Sequence, residues 1–178
     1  MHFYNIINEL SKNQKISLYV DMDGVIASYD AGKKLDFKNK RPLTENINKL
    51  EKIAQLSNVD LYILSICKKN SQIIDKNNWL DKNASFFIPS NRIIISKEQF
   101  PNTDYSTLKV NYLKNLITDT QIVLIDDDNA IIKAVLSSIN NIIEFSGLPN
   151  SWKTTLLHRV NSLCESEHIN ALFVQEPA

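Results

Sequence analysis

The stretch Leu18-Tyr19-Val20-Asp21-Met22-Asp23-Gly24-Val25-Ile26 sets two carboxylates one residue apart directly after an apolar run. Residues 16–20 have the length and β-character of a buried strand, so Asp21 is expected at the strand's carboxyl end. In open α/β sheets ligands bind at that end. Side chains alternate along a strand, so Asp21 and Asp23 can address a common site. Gly24, one of only three glycines in the chain, allows a sharp turn and a close approach of backbone to ligand. Two carboxylates so near each other repel unless a cation or a shared proton compensates. Mg²⁺, a hard ion that takes oxygen ligands, is the natural partner. The pattern recurs at Ile122-Val123-Leu124-Ile125-Asp126-Asp127-Asp128. Two apolar strands ending in carboxylates predict one acidic pocket.

At 178 residues the chain suits a single domain with a real core. Its formal charge is zero, so no global field recruits nucleic acid or an anionic membrane. Two cysteines, Cys67 and Cys164, offer neither metal-ligand spacing nor a disulfide framework, which fits a reducing cytoplasm. Residues 1–10 lack the features of a signal peptide. No apolar run reaches the about 20 residues of a membrane span. A cytoplasmic protein without membrane partners is the expectation.

Helices are expected over 3–12, from Pro42 through Leu56, around 70–81, over 106–116, over 129–138 and over 152–164. Strands are expected at 16–21, 59–66, 92–96, 122–125 and 141–145. Strands alternating with helices predict an α/β fold, a doubly wound, Rossmann-like parallel sheet of about five strands with helices on both faces. Right-handed crossovers would bring the ends of strands one, two and four to one rim. No repeat, linker or low-complexity segment divides the chain.

On these residues the chain resembles the haloacid dehalogenase superfamily of phosphatases. Asp21-Met22-Asp23-Gly24-Val25 is similar to that family's first motif, Ser65 to its second, Lys109 to its third, and Ile125-Asp126-Asp127-Asp128-Asn129 to its fourth. The resemblance covers roughly residues 16–145. In motif style it is similar to the 5′(3′)-deoxyribonucleotidases, although residues 27–41 leave room for little or no cap.

The resemblance implies a Mg²⁺-dependent phosphomonoester hydrolase working through an aspartyl-phosphate. Asp21 would be the nucleophile, and Asp23 would protonate the leaving alcohol and then deprotonate water. Mg²⁺ would be held by Asp21, the Asp23 backbone carbonyl and Asp126, with Asp127 orienting these ligands from behind. Ser65 and Lys109 would hold the phosphoryl oxygens. Plainer roles stand beside these. An Asp at a strand end is commonly a turn former or helix cap, and Asp128 is expected to cap the helix over 129–138. Lys97 is the alternative to Lys109, and Cys67 reads as a small core filler.

Residues 28–41 carry Lys33, Lys34, Lys38, Lys40 and Arg41 with Tyr29 and Phe37 interleaved. They form either a solvated loop or a reader of substrate, in which an aromatic ring stacks on a base and a cation meets a second phosphate. A small phosphorylated substrate, a nucleotide above all, is the expected partner. Nucleic-acid ends or phosphoproteins are the alternative substrates. A phospho-aspartate switch of the receiver type and a non-catalytic binding module are the non-enzymatic alternatives. The receiver order differs, because there the adjacent acidic pair comes early and the phosphorylated Asp stands alone later.

Overall fold

The computed structural model describes residues 3–29, 37–116 and 119–146. The helix expected over 152–164 and the residues Lys33 and Lys34 lie outside them. The elements run α1 (Phe3–Asn13), β1 (Ile16–Val20), α2 (Thr44–Ile53), β2 (Val59–Cys67), α3 (Ser71–Asn83), β3 (Arg92–Ser96), α4 (Tyr105–Lys114), β4 (Gln121–Asp126), α5 (Asn129–Ser138) and β5 (Ile142–Ser146). A 3₁₀ turn, Phe37–Asn39, precedes α2.

The five strands form one parallel sheet in the order β3-β2-β1-β4-β5. β1 is central, paired with β2 from Ile16 opposite Val59 and with β4 from Ile16 opposite Gln121. The chain therefore runs outward from β1 to β3, then crosses back to β4 on β1's other side. The crevice between the carboxyl ends of β1 and β4 is the switch point of the fold, where ligands bind in sheets of this kind.

Strand alternation decides which helix meets which residue. Ile16, Leu18 and Val20 of β1, with Leu61 and Ile63 of β2, pack in one core with Ile7 of α1, Leu50 and Ile53 of α2 and Leu80 of α3. Tyr19 of β1 and Leu124 of β4 pack in a second core with Val110 and Leu113 of α4 and Ile131 and Val135 of α5. Helices thus cover both faces, as the strand–helix alternation predicts. β1 and β4 are buried throughout and β2 is buried or half-buried along its length, which is why each reads as a mostly apolar run.

Two caps fix the helices that follow the strand ends. Asp104 accepts from the Thr107 amide at the start of α4, and Asp128 accepts from the Ala130 amide at the start of α5. Asp128 is therefore the helix cap the sequence predicts.

Candidate active site

Asp21 follows β1 by one residue, and its amide donates to the Ile125 carbonyl at 2.9 Å, which continues the β1–β4 ladder. By alternation it belongs with Tyr19, on the α4 face. Asp126, two residues after Leu124, takes the same face. Lys109 on α4 reaches both: its Nζ donates to Asp21 Oδ1 at 2.8 Å and to Asp126 Oδ2 at 2.6 Å. The other Asp126 oxygen accepts from the Asp128 amide at 3.0 Å.

Burial would strip the proton from Lys109, but Asp126 and Asp21 outweigh it and hold the ammonium protonated beyond the ordinary lysine range. Burial, assisted by Asp21, pushes Asp126 up to about 6 against the pull of Lys109. Asp127 is pushed up to about 7 by burial, then by Asp21 and Asp126. Asp21, Asp126 and Asp127 each offer an oxygen, and these oxygens lie within 4.8 Å of one another. Three mutually repelling hard oxygen donors with one lysine among them fit a divalent cation. The Asp127 carboxylate stands in this group itself, a more direct place than the orienting role expected for it.

Gly24 makes room for that carboxylate. Its φ is +72°, and a Cβ built there would overlap the Asp127 side chain. The turn is pinned by the Ala27 amide on the Met22 carbonyl at 2.8 Å, and by Asn46 Nδ2 on the Val25 carbonyl at 2.7 Å. Gly24→Ala is expected to destabilise the fold by about 1–2 kcal/mol from the left-handed backbone alone and to displace Asp127. Calorimetric titration with Mg²⁺ should show weaker binding than wild type; unchanged affinity would contradict this role for Gly24.

Asp23 goes elsewhere. Its carboxylate is paired with Lys40 and with Lys76, the latter from Nζ to Oδ2 at 2.7 Å. Burial would raise its pKa, but the two ammonium groups prevail and hold it below the usual carboxylate range. Asp21 and Asp23 are thus served by cations from opposite faces of the sheet, Lys109 from α4 and Lys76 from α3.

Ser65 follows Leu61 and Ile63 by alternation, so it looks towards α3. It is fully buried, and its Oγ accepts from Lys76 Nζ at 2.7 Å. Asp23 and Asp127 are the half-exposed carboxylates of the site, Asp23 with 24% of its side chain exposed against 9% for Asp21. Lys97 is occupied locally, donating to the Pro101 carbonyl at 3.1 Å and to those of Phe100 and Thr103. Cys67 is buried, its Sγ donating to the Lys69 carbonyl.

The 3₁₀ turn Phe37–Asn39 and Lys40 stand beside Lys76 and Asp23. Phe37 is buried and meets the Trp79 ring edge-on at 5.9 Å, so it cannot serve as a stacking platform for a base. Tyr29 is 61% exposed, with the Lys40 ammonium 5.7 Å from its ring centre. Sequence reasoning placed Lys40 only in a basic loop and passed over Lys76. The available signal was position: Lys76 lies three residues after Ile73 and four before Leu80, on the buried stripe of α3, where a lysine needs a partner.

Glu144 of β5 stands opposite Leu124. It is buried, and neither carboxylate oxygen has a hydrogen-bond partner among the described residues. Burial, then Asp126, pushes its pKa from 4.5 up to about 8. The folded state therefore keeps a proton that the unfolded chain releases, and Glu144's contribution to stability falls as pH rises from about 4.5 past 8. Glu144→Leu is expected to raise the urea midpoint above that window and to change it little below. An equal gain at both ends would contradict the assignment.

No protein-family model matches the chain, and no curated protein matches it. Similar solved structures include two of the class C acid phosphatase from Bacillus anthracis. One is 13% identical with a TM-score of 0.47, covering 97% of this chain and 90% of that one. The other, with tungstate bound, is 12% identical with a TM-score of 0.47, covering 96% and 90%. Among the described residues no helix is long and apolar enough to cross a membrane.

Proposed function

We propose that the chain is a Mg²⁺-dependent phosphomonoester hydrolase of the haloacid dehalogenase type, with Asp21 as the nucleophile and a nucleotide as the favoured substrate. The observation that carries this reading is the cluster at the switch point: Asp21, Asp126 and Asp127 within 4.8 Å of one another, with buried Lys109 bonded to the first two. One Asp21 oxygen would form a bond to phosphorus as the bond to the leaving oxygen breaks. Asp23, ionised in the resting site between two ammonium groups, takes up a solvent proton as substrate binds and delivers it to that oxygen. Water then attacks the phosphorus of the acyl phosphate, giving its proton to the Asp23 carboxylate, and inorganic phosphate leaves with Asp21 regenerated.

Asp21, Asp126 and Asp127 would hold the Mg²⁺, which when bound offsets the repulsion between nucleophile and phosphate. Lys109 donates to Asp21 and fixes its rotamer. Ser65 supplies a hydroxyl at the neighbouring strand end. A nucleotide is favoured because Tyr29 offers an exposed ring beside the Lys40 ammonium at the open side of Asp23. The test is phosphate release from nucleoside monophosphates, sugar phosphates and a 3′-phosphorylated oligonucleotide, with Mg²⁺ or with EDTA. Mg²⁺-dependent release, fastest on nucleoside monophosphates, is expected. Folded, metal-binding protein that releases phosphate from none of them would overturn the reading, and preference for the oligonucleotide would overturn its nucleotide part.

A further inference from the structure

We infer that Lys76 is a positioning residue for this reaction, fixing the Ser65 hydroxyl and the Asp23 carboxylate from the face of the sheet opposite Lys109. The inference rests on the phosphatase reading and adds a residue outside the motifs that suggested it. A lysine ammonium has three N–H donors and no acceptor. Lys76 Nζ has three acceptors around it: Asp23 Oδ2 at 2.7 Å, Ser65 Oγ at 2.7 Å and the Ile66 carbonyl at 3.2 Å. Every donor is matched, so none is left for a phosphoryl oxygen. Because Lys76 can only donate, Ser65 Oγ must accept from it, and the single Ser65 proton is turned away from Lys76. Ser65 is fully buried, so bulk water does not reorient that hydroxyl. The hydroxyl's one proton is thereby left for a partner other than Lys76, and in the phosphatase reading that partner is an oxygen of the bound phosphoryl group.

The surroundings argue against a purely structural lysine. The side chain is 3% exposed, and its ammonium lies 4.6 Å from the centre of the buried Phe37 ring. Trp79 and Leu80 of the same helix belong to the apolar core. A leucine or methionine at 76 would satisfy that packing without the desolvation that a charge suffers there. What only a cation at 76 provides is the link from Ser65 to Asp23.

The test uses the full chain with Lys76→Met, Ser65→Ala and the double variant. Orthovanadate binding in Mg²⁺ is measured by calorimetry, beside hydrolysis of p-nitrophenyl phosphate and of a nucleoside monophosphate. Each single variant is expected to lose about tenfold in vanadate affinity, as for one displaced hydrogen bond, and the double variant no more than Ser65→Ala alone. Lys76→Met should also slow the nucleotide, with its poorer leaving group, more than the nitrophenyl ester, through kcat rather than KM. Additive losses in vanadate binding, or no loss from Lys76→Met, would overturn the inference while leaving the phosphatase reading intact. Wild-type protein that neither binds vanadate nor hydrolyses either ester would overturn both. Should Lys76→Met fail to fold, Lys76→Gln, which keeps two donors at lower reach, takes its place with the same non-additivity expected.

Discussion

Asp21→Asn is expected to lower phosphate release by about a thousandfold or more while leaving the sheet intact. The amide keeps one oxygen that can accept from Lys109, and the backbone bond from residue 21 to the Ile125 carbonyl is untouched. What disappears is the anionic oxygen that attacks phosphorus and one of the three hard donors for the metal. Initial rates in saturating Mg²⁺, beside a thermal melt, separate chemistry from folding. A folded variant with more than a tenth of wild-type activity would contradict a nucleophilic Asp21.

Lys109→Met carries the largest expected effect on stability. The ammonium is 2% exposed and bonded to two carboxylates that are 9% and 1% exposed. Removing one member of a buried ion pair costs about 3–5 kcal/mol, because the remaining charge is left without compensation. Here two carboxylates are left facing Asp127, so the metal-free variant should unfold at much lower urea than wild type. A cation that binds only the folded state stabilises it by mass action. Mg²⁺ should therefore recover more stability for the variant than it adds to wild type. Equal Mg²⁺ effects on the two proteins would contradict a shared site for Lys109 and the metal. Activity is expected to be lost in either case, since the rotamer of Asp21 is no longer held.

Much of this arrangement was legible from residue patterns because burial wrote it there. β1, β2 and β4 lie under helices on both faces, so their runs are mostly apolar; Asp21 follows β1 directly, Asp126 closes β4, and Ser65 stands two residues before the end of β2. The boundaries of β3 and α5 match the expectation, and the Asp128 cap followed from its place before an apolar helix. The roles of charged helix residues were less legible. Lysines on helices mostly point to solvent, and only the sheet decides that Lys76 of α3 and Lys109 of α4 turn inward from opposite sides. Lys109 was found through a motif, whereas Lys76 had none. The resemblance put Asp127 behind the candidate metal ligands; the chain leaves the strand at Asp126, and the gap over Gly24 admits the next carboxylate to the same group. Phe37 and Tyr29 were interchangeable in sequence, and only packing against Trp79 separates the buried ring from the exposed one.

The most direct measurement is to quench the protein with acid during turnover of p-nitrophenyl phosphate in Mg²⁺, reduce it with borohydride and map its peptides. An aspartyl-phosphate is reduced to homoserine, which is predicted at position 21 and nowhere else. Sustained turnover with Asp21 unmodified, or homoserine at Asp23 or Asp126 instead, would contradict covalent catalysis by Asp21.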